Sequence, residues 1–104
     1  MLKLGKINLD LNSKCLWIEN REISITKSEF FLLKILLENP EKIVSRKEIL
    51  SAMKLEMGPG SDHILDLHCS RLRLKLRSAS AGEYLFSKAG FGFSITDPKE
   101  FGRV

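Results

Sequence analysis

The chain divides by the period of its apolar positions. Over Lys6–Leu11 polar and apolar residues alternate, with Ile7, Leu9 and Leu11 set against Asn8 and Asp10, the period of a strand with one covered face. Asn12-Ser13 is a turn signal, Lys14–Ile18 supplies a second strand, Glu19–Glu22 interrupts it, and Ile23–Thr26 alternates again. Three short strands this close predict a small antiparallel meander. The period then lengthens. Thr26-Lys27-Ser28-Glu29 has capping-box spacing, a hydroxyl for the amide three residues on and a carboxylate to return to the cap amide. Phe30–Leu37 is apolar nearly all round, Lys34 excepted, which predicts a helix at the centre of a small domain, closed by Asn39-Pro40. A second box, Ser45-Arg46-Lys47-Glu48, opens a short helix with a stripe of Ile49, Leu50, Ala52 and Met53. Met57–Ser61 is a loop. Ser61 or Asp62 can cap a third helix reaching about Ser78, and Ser78–Gly82 stops it. Tyr84–Lys88 and Phe91–Ile95 form a hairpin about Ala89-Gly90, and Asp97–Val104 has no clear pattern.

The third helix carries most of the chemistry. Leu65, Cys69, Leu72 and Leu76 recur at i, i+4, i+7 and i+11, so they share one stripe, the core face. His63, Leu67, Ser70 and Leu74 lie opposite. Arg71 and Lys75 fall on one flank, together with Ile64 and His68, and Arg73 and Arg77 fall on the other. A helix in the DNA major groove turns its outward face to base edges and its flanks to the two phosphate walls. Cations on both flanks can hold phosphates without blocking the reading face. Ser70 can hydrogen-bond a base edge, and Ile64 or Leu67 can pack on a thymine methyl. A solvated basic face, favoured by the helix dipole, explains the same cations equally well at this level.

Element order separates the two readings. A helix, a short helix, a turn, a basic helix and a hairpin follow the order of a winged helix, the second and third helices forming a helix-turn-helix. The predicted class is α+β: an N-terminal antiparallel sheet, three helices and a C-terminal β-hairpin wing. The 104 residues, 43% hydrophobic, suit one domain, 1–104. The net charge of +4 favours an anionic partner. No run has the length of a membrane span, and the N-terminus lacks a signal peptide's apolar stretch, so the expected location is cytoplasmic, with no membrane partner. Cys15 and Cys69 have no metal-ligand spacing and are expected as two buried thiols in a reducing compartment. No catalytic set, metal site or cofactor motif is apparent. His63 and His68 stand about 140° apart on a helix, and Asp62 and Asp66, which share a face, suit a helix's first turns. The expectation is therefore not an enzyme. RNA is disfavoured because an A-form major groove does not admit a helix.

Four segments carry a family resemblance, in order from about Ile7 to Ile95. Ile25-Thr26-x-x-Glu29-Phe30-x-Leu32-Leu33-x-x-Leu36-x-x-Asn39-Pro40 resembles the first-helix signature of OmpR/PhoB-type response-regulator effector domains. Val44-Ser45-Arg46-x-x-Ile49-Leu50 resembles their second helix. Asp66-Leu67-His68-Cys69-Ser70-Arg71-Leu72-Arg73-Leu74-Lys75-Leu76 is similar to their recognition helix, and Gly90-Phe91-Gly92-Phe93 to their wing motif. The resemblance implies sequence-specific double-stranded DNA binding for transcriptional regulation, as the output domain of a two-component phosphorelay. The recognition helix, about 62–78, would lie in the major groove, and the wing, about 84–95, on the backbone or minor groove. His63, Ile64, Leu67, Ser70 and Arg71 match base-facing or groove-facing positions. His68, Arg73 and Lys75 match or adjoin phosphate-facing ones, with Arg77 beyond them on the helix. Ser87 matches a wing residue on the backbone, and Lys88 adjoins it. The loop 54–60 matches a segment that meets RNA polymerase in many members. A receiver domain usually precedes this module and links it to a sensor kinase; the expectation is that this chain has no room for one. The family often has Arg at the positions of His63 and Ala89. The alternative is a winged helix that binds a protein, supported by outward Leu67 and Leu74.

Overall fold

The computed structural model describes residues 1–54, 60–79 and 83–97, apart from the side chain of Asp62. It opens with a four-stranded antiparallel sheet in sequence order, β1 (Leu2–Leu4), β2 (Ile7–Asp10), β3 (Cys15–Ile18) and β4 (Arg21–Ile23). The alternation read from β2 and β3 is the one observed. Ile7, Leu9, Leu16 and Ile18 are buried, and Leu9 pairs with Leu16. At the β2–β3 turn the Asp10 carboxylate accepts from the Asn12 amide at 2.9 Å and the Ser13 amide at 3.3 Å. Two expectations need correction. A fourth strand, β1, precedes the other three, with Leu2 paired to Leu9. Three residues are too few for the alternation to declare itself. The last strand ends at Ile23 rather than Thr26, because Thr26 leaves the sheet to cap a helix.

That helix, α1 (Lys27–Leu37), has the full capping box. Thr26 Oγ1 accepts from the Glu29 amide at 3.2 Å, and Glu29 Oε1 accepts from the Thr26 amide at 2.8 Å. Its end is held by Asn39, whose side-chain amide donates to the Ile35 carbonyl at 2.9 Å. The helix is not buried all round, since Phe31 and Ile35 are only half-buried. A two-residue strand, β5 (Val44–Ser45), leads into α2 (Arg46–Ala52). Ser45 Oγ caps α2 by accepting from the Glu48 amide at 3.1 Å. The Glu48 carboxylate accepts from the Ser45 hydroxyl at 3.2 Å. α3 (Ser61–Ser78) is capped not by Ser61, which is already helical, but by Gly60 in the left-handed region at φ 87°. A glycine takes that conformation at low cost. β6 (Leu85–Lys88) and β7 (Gly92–Ile95) follow as the last strands among the described residues.

The hairpin is part of a three-stranded sheet of order β5-β7-β6. β5 docks on β7 with Val44 opposite Phe93 and Ser45 opposite Gly92. The fit needs a glycine at Gly92, where a Cβ would lie 1.9 Å from the Val44 carbonyl oxygen. The two sheets meet at Tyr84, a buried residue whose hydroxyl accepts from the Lys6 amide at 2.8 Å. Gly5 sits against that hydroxyl with φ 55°, leaving no room for a side chain. One continuous cluster joins the inner faces of both sheets to all three helices. Cys69 belongs to it, and burial pushes its thiol up to about 12. Cys15, expected to be buried, is half-exposed on the outer face of β3, and both cysteines are free.

Candidate nucleic-acid interface

α3 presents the faces its period predicts. Leu65, Cys69, Leu72 and Leu76 are buried against α1 and α2. His63, Ile64, Leu67, Ser70 and Arg71 are all exposed, Ile64 at 43% and Leu67 at 41%. Large aliphatic side chains left this open on a helix whose other face is fully packed make an apolar strip bordered by cations. Arg71 has no carboxylate partner among the described residues.

The opposite flank faces the wing. Asp66, Ser70 and Arg73 of α3 and Ser87, Lys88 and Ala89 of the wing enclose a cleft of about 340 Å³. Arg73 is half-buried there, and its Nε is shielded from solvent without a hydrogen-bond partner among the described residues. The one carboxylate in the cleft, Asp66, is taken by Arg46 at 2.8 Å, and a guanidinium held beside that pair favours a further anion. Ser87 and Lys88 are exposed on the same cleft. The sequence therefore placed Arg73 and the wing residues separately, and the fold brings them together.

Three of the expected site residues have surroundings that their helical period did not predict. Lys75 does not turn to the outward flank. Its ammonium points back to Glu29, with Nζ 2.5 Å from Oε1. Glu29 is a charged residue at 1% exposure, and a buried carboxylate needs a cation within reach. Burial pushes the Glu29 carboxyl up, but hydrogen bonds from Lys75 and from the Thr26 amide and hydroxyl outweigh this and hold it below the usual range. Arg77 is paired to Glu83 at 2.7 Å, on a half-exposed surface. His68 is half-buried, and its Nδ1 faces the interior without a partner, so only the other ring nitrogen is available outward.

Sequence reading missed one organising residue. Arg46, the first residue of α2, is 2.8 Å from the Asp66 carboxylate on α3 and lies 5.1 Å above the Phe93 ring of the wing. One guanidinium thus fixes α2, α3 and β7 relative to one another. No local signal could have found it, because its partners are 20 and 47 residues away (66 − 46 and 93 − 46). The loop 54–60 lies outside the described residues except for its two ends. No helix among the described residues is long and apolar enough to cross a membrane.

Known proteins share this arrangement. A family model described as "Transcriptional regulatory protein, C terminal" matches residues 20–95. The sensory transduction protein BceR of Bacillus subtilis is 35% identical over 79 residues, covering 76% of this chain and 34% of that protein. The transcriptional regulatory protein TrcR of Mycobacterium tuberculosis is 32% identical over 98 residues, covering 94% and 38%. The chain spans about a third of the length of these relatives. Among solved structures, the DNA-binding domain of the response regulator AdeR, in complex with an intercistronic region, superposes with a TM-score of 0.84 at 20% identity, covering 94% of this chain and 100% of that one. The DNA-binding domain of CpxR from E. coli gives 0.81 at 24% identity, covering 92% and 95%. At such identities the superpositions speak to the fold, and the fold is the winged helix. By the match over residues 20–95 together with that architecture, the chain belongs to the family of transcriptional regulatory C-terminal domains of OmpR/PhoB type.

Proposed function

We propose that the chain binds double-stranded DNA sequence-specifically and acts as the output domain of a two-component response regulator. The observation that carries this is the half-buried Arg73 guanidinium in the cleft between α3 and the wing, its Nε without a partner, beside an outward face that is apolar and bordered by cations. In this reading α3 enters the major groove. His63, Ile64, Leu67, Ser70 and Arg71 meet base edges and thymine methyls. Arg73, Ser87 and Lys88 hold one phosphate strand from the cleft, and His68 meets the other wall. Lys75 and Arg77 contribute little to phosphate binding, because Glu29 and Glu83 already compensate them. The chemistry is recognition, without a catalytic step or a resident cofactor. A receiver domain elsewhere in the full protein would supply phosphorelay control from a sensor kinase. RNA polymerase would be met through the loop 54–60, and the setting would be the cytoplasm.

The test measures duplex affinity against salt, on a sequence selected from a random library and on a scrambled one. About 3–4 neutralised phosphates give a log–log slope of about −3 to −4. Arg73→Ala weakens both duplexes alike and makes the slope shallower by about 1. Arg71→Ala costs about 1–3 kcal/mol on the selected duplex only and relaxes preference at one or two base pairs. A wild-type chain that binds no duplex at low salt would overturn the reading in favour of a protein-docking winged helix, which the exposed Leu74 also suits.

A further inference from the structure

We propose that Arg46 determines sequence specificity without reading a base, by holding α3 and the wing at one fixed separation so that base edges and phosphates are met together. This rests on the DNA-binding reading above and adds to it a positioning residue that lies on neither DNA-reading element. Arg46 opens α2, where a cation opposes the helix dipole and gains nothing for α2 itself. Its position is explained by what it reaches. The guanidinium is 2.8 Å from the Asp66 carboxylate on α3 and 5.1 Å above the Phe93 ring of β7. The residue before it, Ser45, is paired through β5 with Gly92 of the wing. The backbone at Arg46 is thus tied to the wing sheet, and its side chain is tied to α3.

That tie matters because α3 packs on α1 and α2, while the cleft separates it from the wing strands. Arg46 and Asp66 line this cleft together with Arg73, Ser87 and Lys88, so the crossbar stands where the phosphate strand is held. Base contacts need their side chains placed within about 0.5 Å. A phosphate is held largely by charge and tolerates a displaced cation. A separation left free to vary therefore costs base reading by Leu67, Ser70 and Arg71 more than phosphate binding by Arg73 and Lys88. The ion pair is partly open to water, so by itself it contributes little to folding. Its effect falls on discrimination between DNA sequences.

The experiment measures the affinity of the full chain for the selected and the scrambled duplex. Combining Arg46→Met with Asp66→Ala leaves the net charge unchanged and keeps an apolar stem over Phe93. This double variant is expected to lose about tenfold on the selected duplex, the discrimination of one base contact. It binds the scrambled duplex as the wild type does and keeps the wild-type salt slope, because no phosphate contact is removed. Each single variant loses about the same factor of discrimination, since either removes the crossbar, and the two losses do not add. Circular dichroism shows that each variant folds, and Asp66→Ala alone carries the test if Arg46→Met does not. A direct phosphate contact by Arg46 gives another pattern: Arg46→Met weakens both duplexes alike with a slope shallower by about 1, and Asp66→Ala strengthens both. That pattern overturns the proposal, and so do unchanged discrimination by the double variant or losses that add. Absence of any duplex binding by the wild type is a different result, and it removes the DNA reading itself.

Discussion

Glu29 shows how one side chain can serve two structures. Its carboxylate closes the capping box of α1 and also holds Lys75 of α3, 46 residues later. The first role was legible in the sequence, because a capping box is a local spacing. The second was not, because the period of α3 assigned Lys75 only to a flank and gave no direction for its long side chain. Lys75→Met is expected to cost about 2–3 kcal/mol. The full penalty for an unpaired buried charge is larger, but Lys75 keeps about a third of its side chain in water. The pH dependence has a definite sign. A carboxyl held below its ordinary value of 4.5 stabilises the fold above that value, and this stability is lost as the pH falls through the native one. Without Lys75 the upward push of burial prevails, so the gain in stability between acid and neutral pH shrinks. Urea midpoints for both proteins at several pH values between 3 and 7 measure this. Identical pH profiles would show that the pair is not coupled.

Among the elements, the helices were the more readable. Thr26 and Ser45 announce two of them through their caps, and the stripe Leu65–Leu76 fixes the buried face of the third. The strands β1 and β5 escaped notice because three and two residues carry no period, and their pairing is decided by distant partners. β5 depends on Gly92 in a way that separates two glycines of one motif. At Gly92 a Cβ would collide with the Val44 backbone, which cannot rotate away, whereas at Gly90 it meets nothing. Gly92→Ala is therefore expected to destabilise by about 3 kcal/mol or more, or to prevent folding, through overpacking and a lost ladder. Gly90→Ala should cost only about 1–2 kcal/mol, for a left-handed φ. Thermal or urea unfolding of the two variants decides between them, and equal losses would mean that β5 gives way without cost.

The dimensions of the whole molecule bear on how copies share DNA. It measures 38 × 36 × 22 Å, and one turn of B-DNA is about 34–36 Å. One copy thus covers about one turn, and two copies on the same face must stand about 10–11 bp apart. The family resemblance implies direct repeats at that spacing, bound head to tail. A footprint on the selected duplex should extend over two turns, and shifting one repeat by half a turn should abolish joint occupancy. A palindromic site would contradict it.

The contact between Lys6 and Tyr84 has a consequence for how the molecule is made. It spans 78 residues and joins the first strands to the last hairpin. β5 likewise waits for β7, 49 residues further on (Val44 to Phe93). Sequence-distant contacts of this kind slow folding, and a chain that emerges from the ribosome N-terminus first cannot make them until the wing hairpin is out. The N-terminal sheet and the helix-turn-helix are therefore synthesised before the strands that lock them. Until the wing arrives, the edge of β5 and the apolar faces that cover Tyr84 stand open. The wing is then the part that commits the module to the native state.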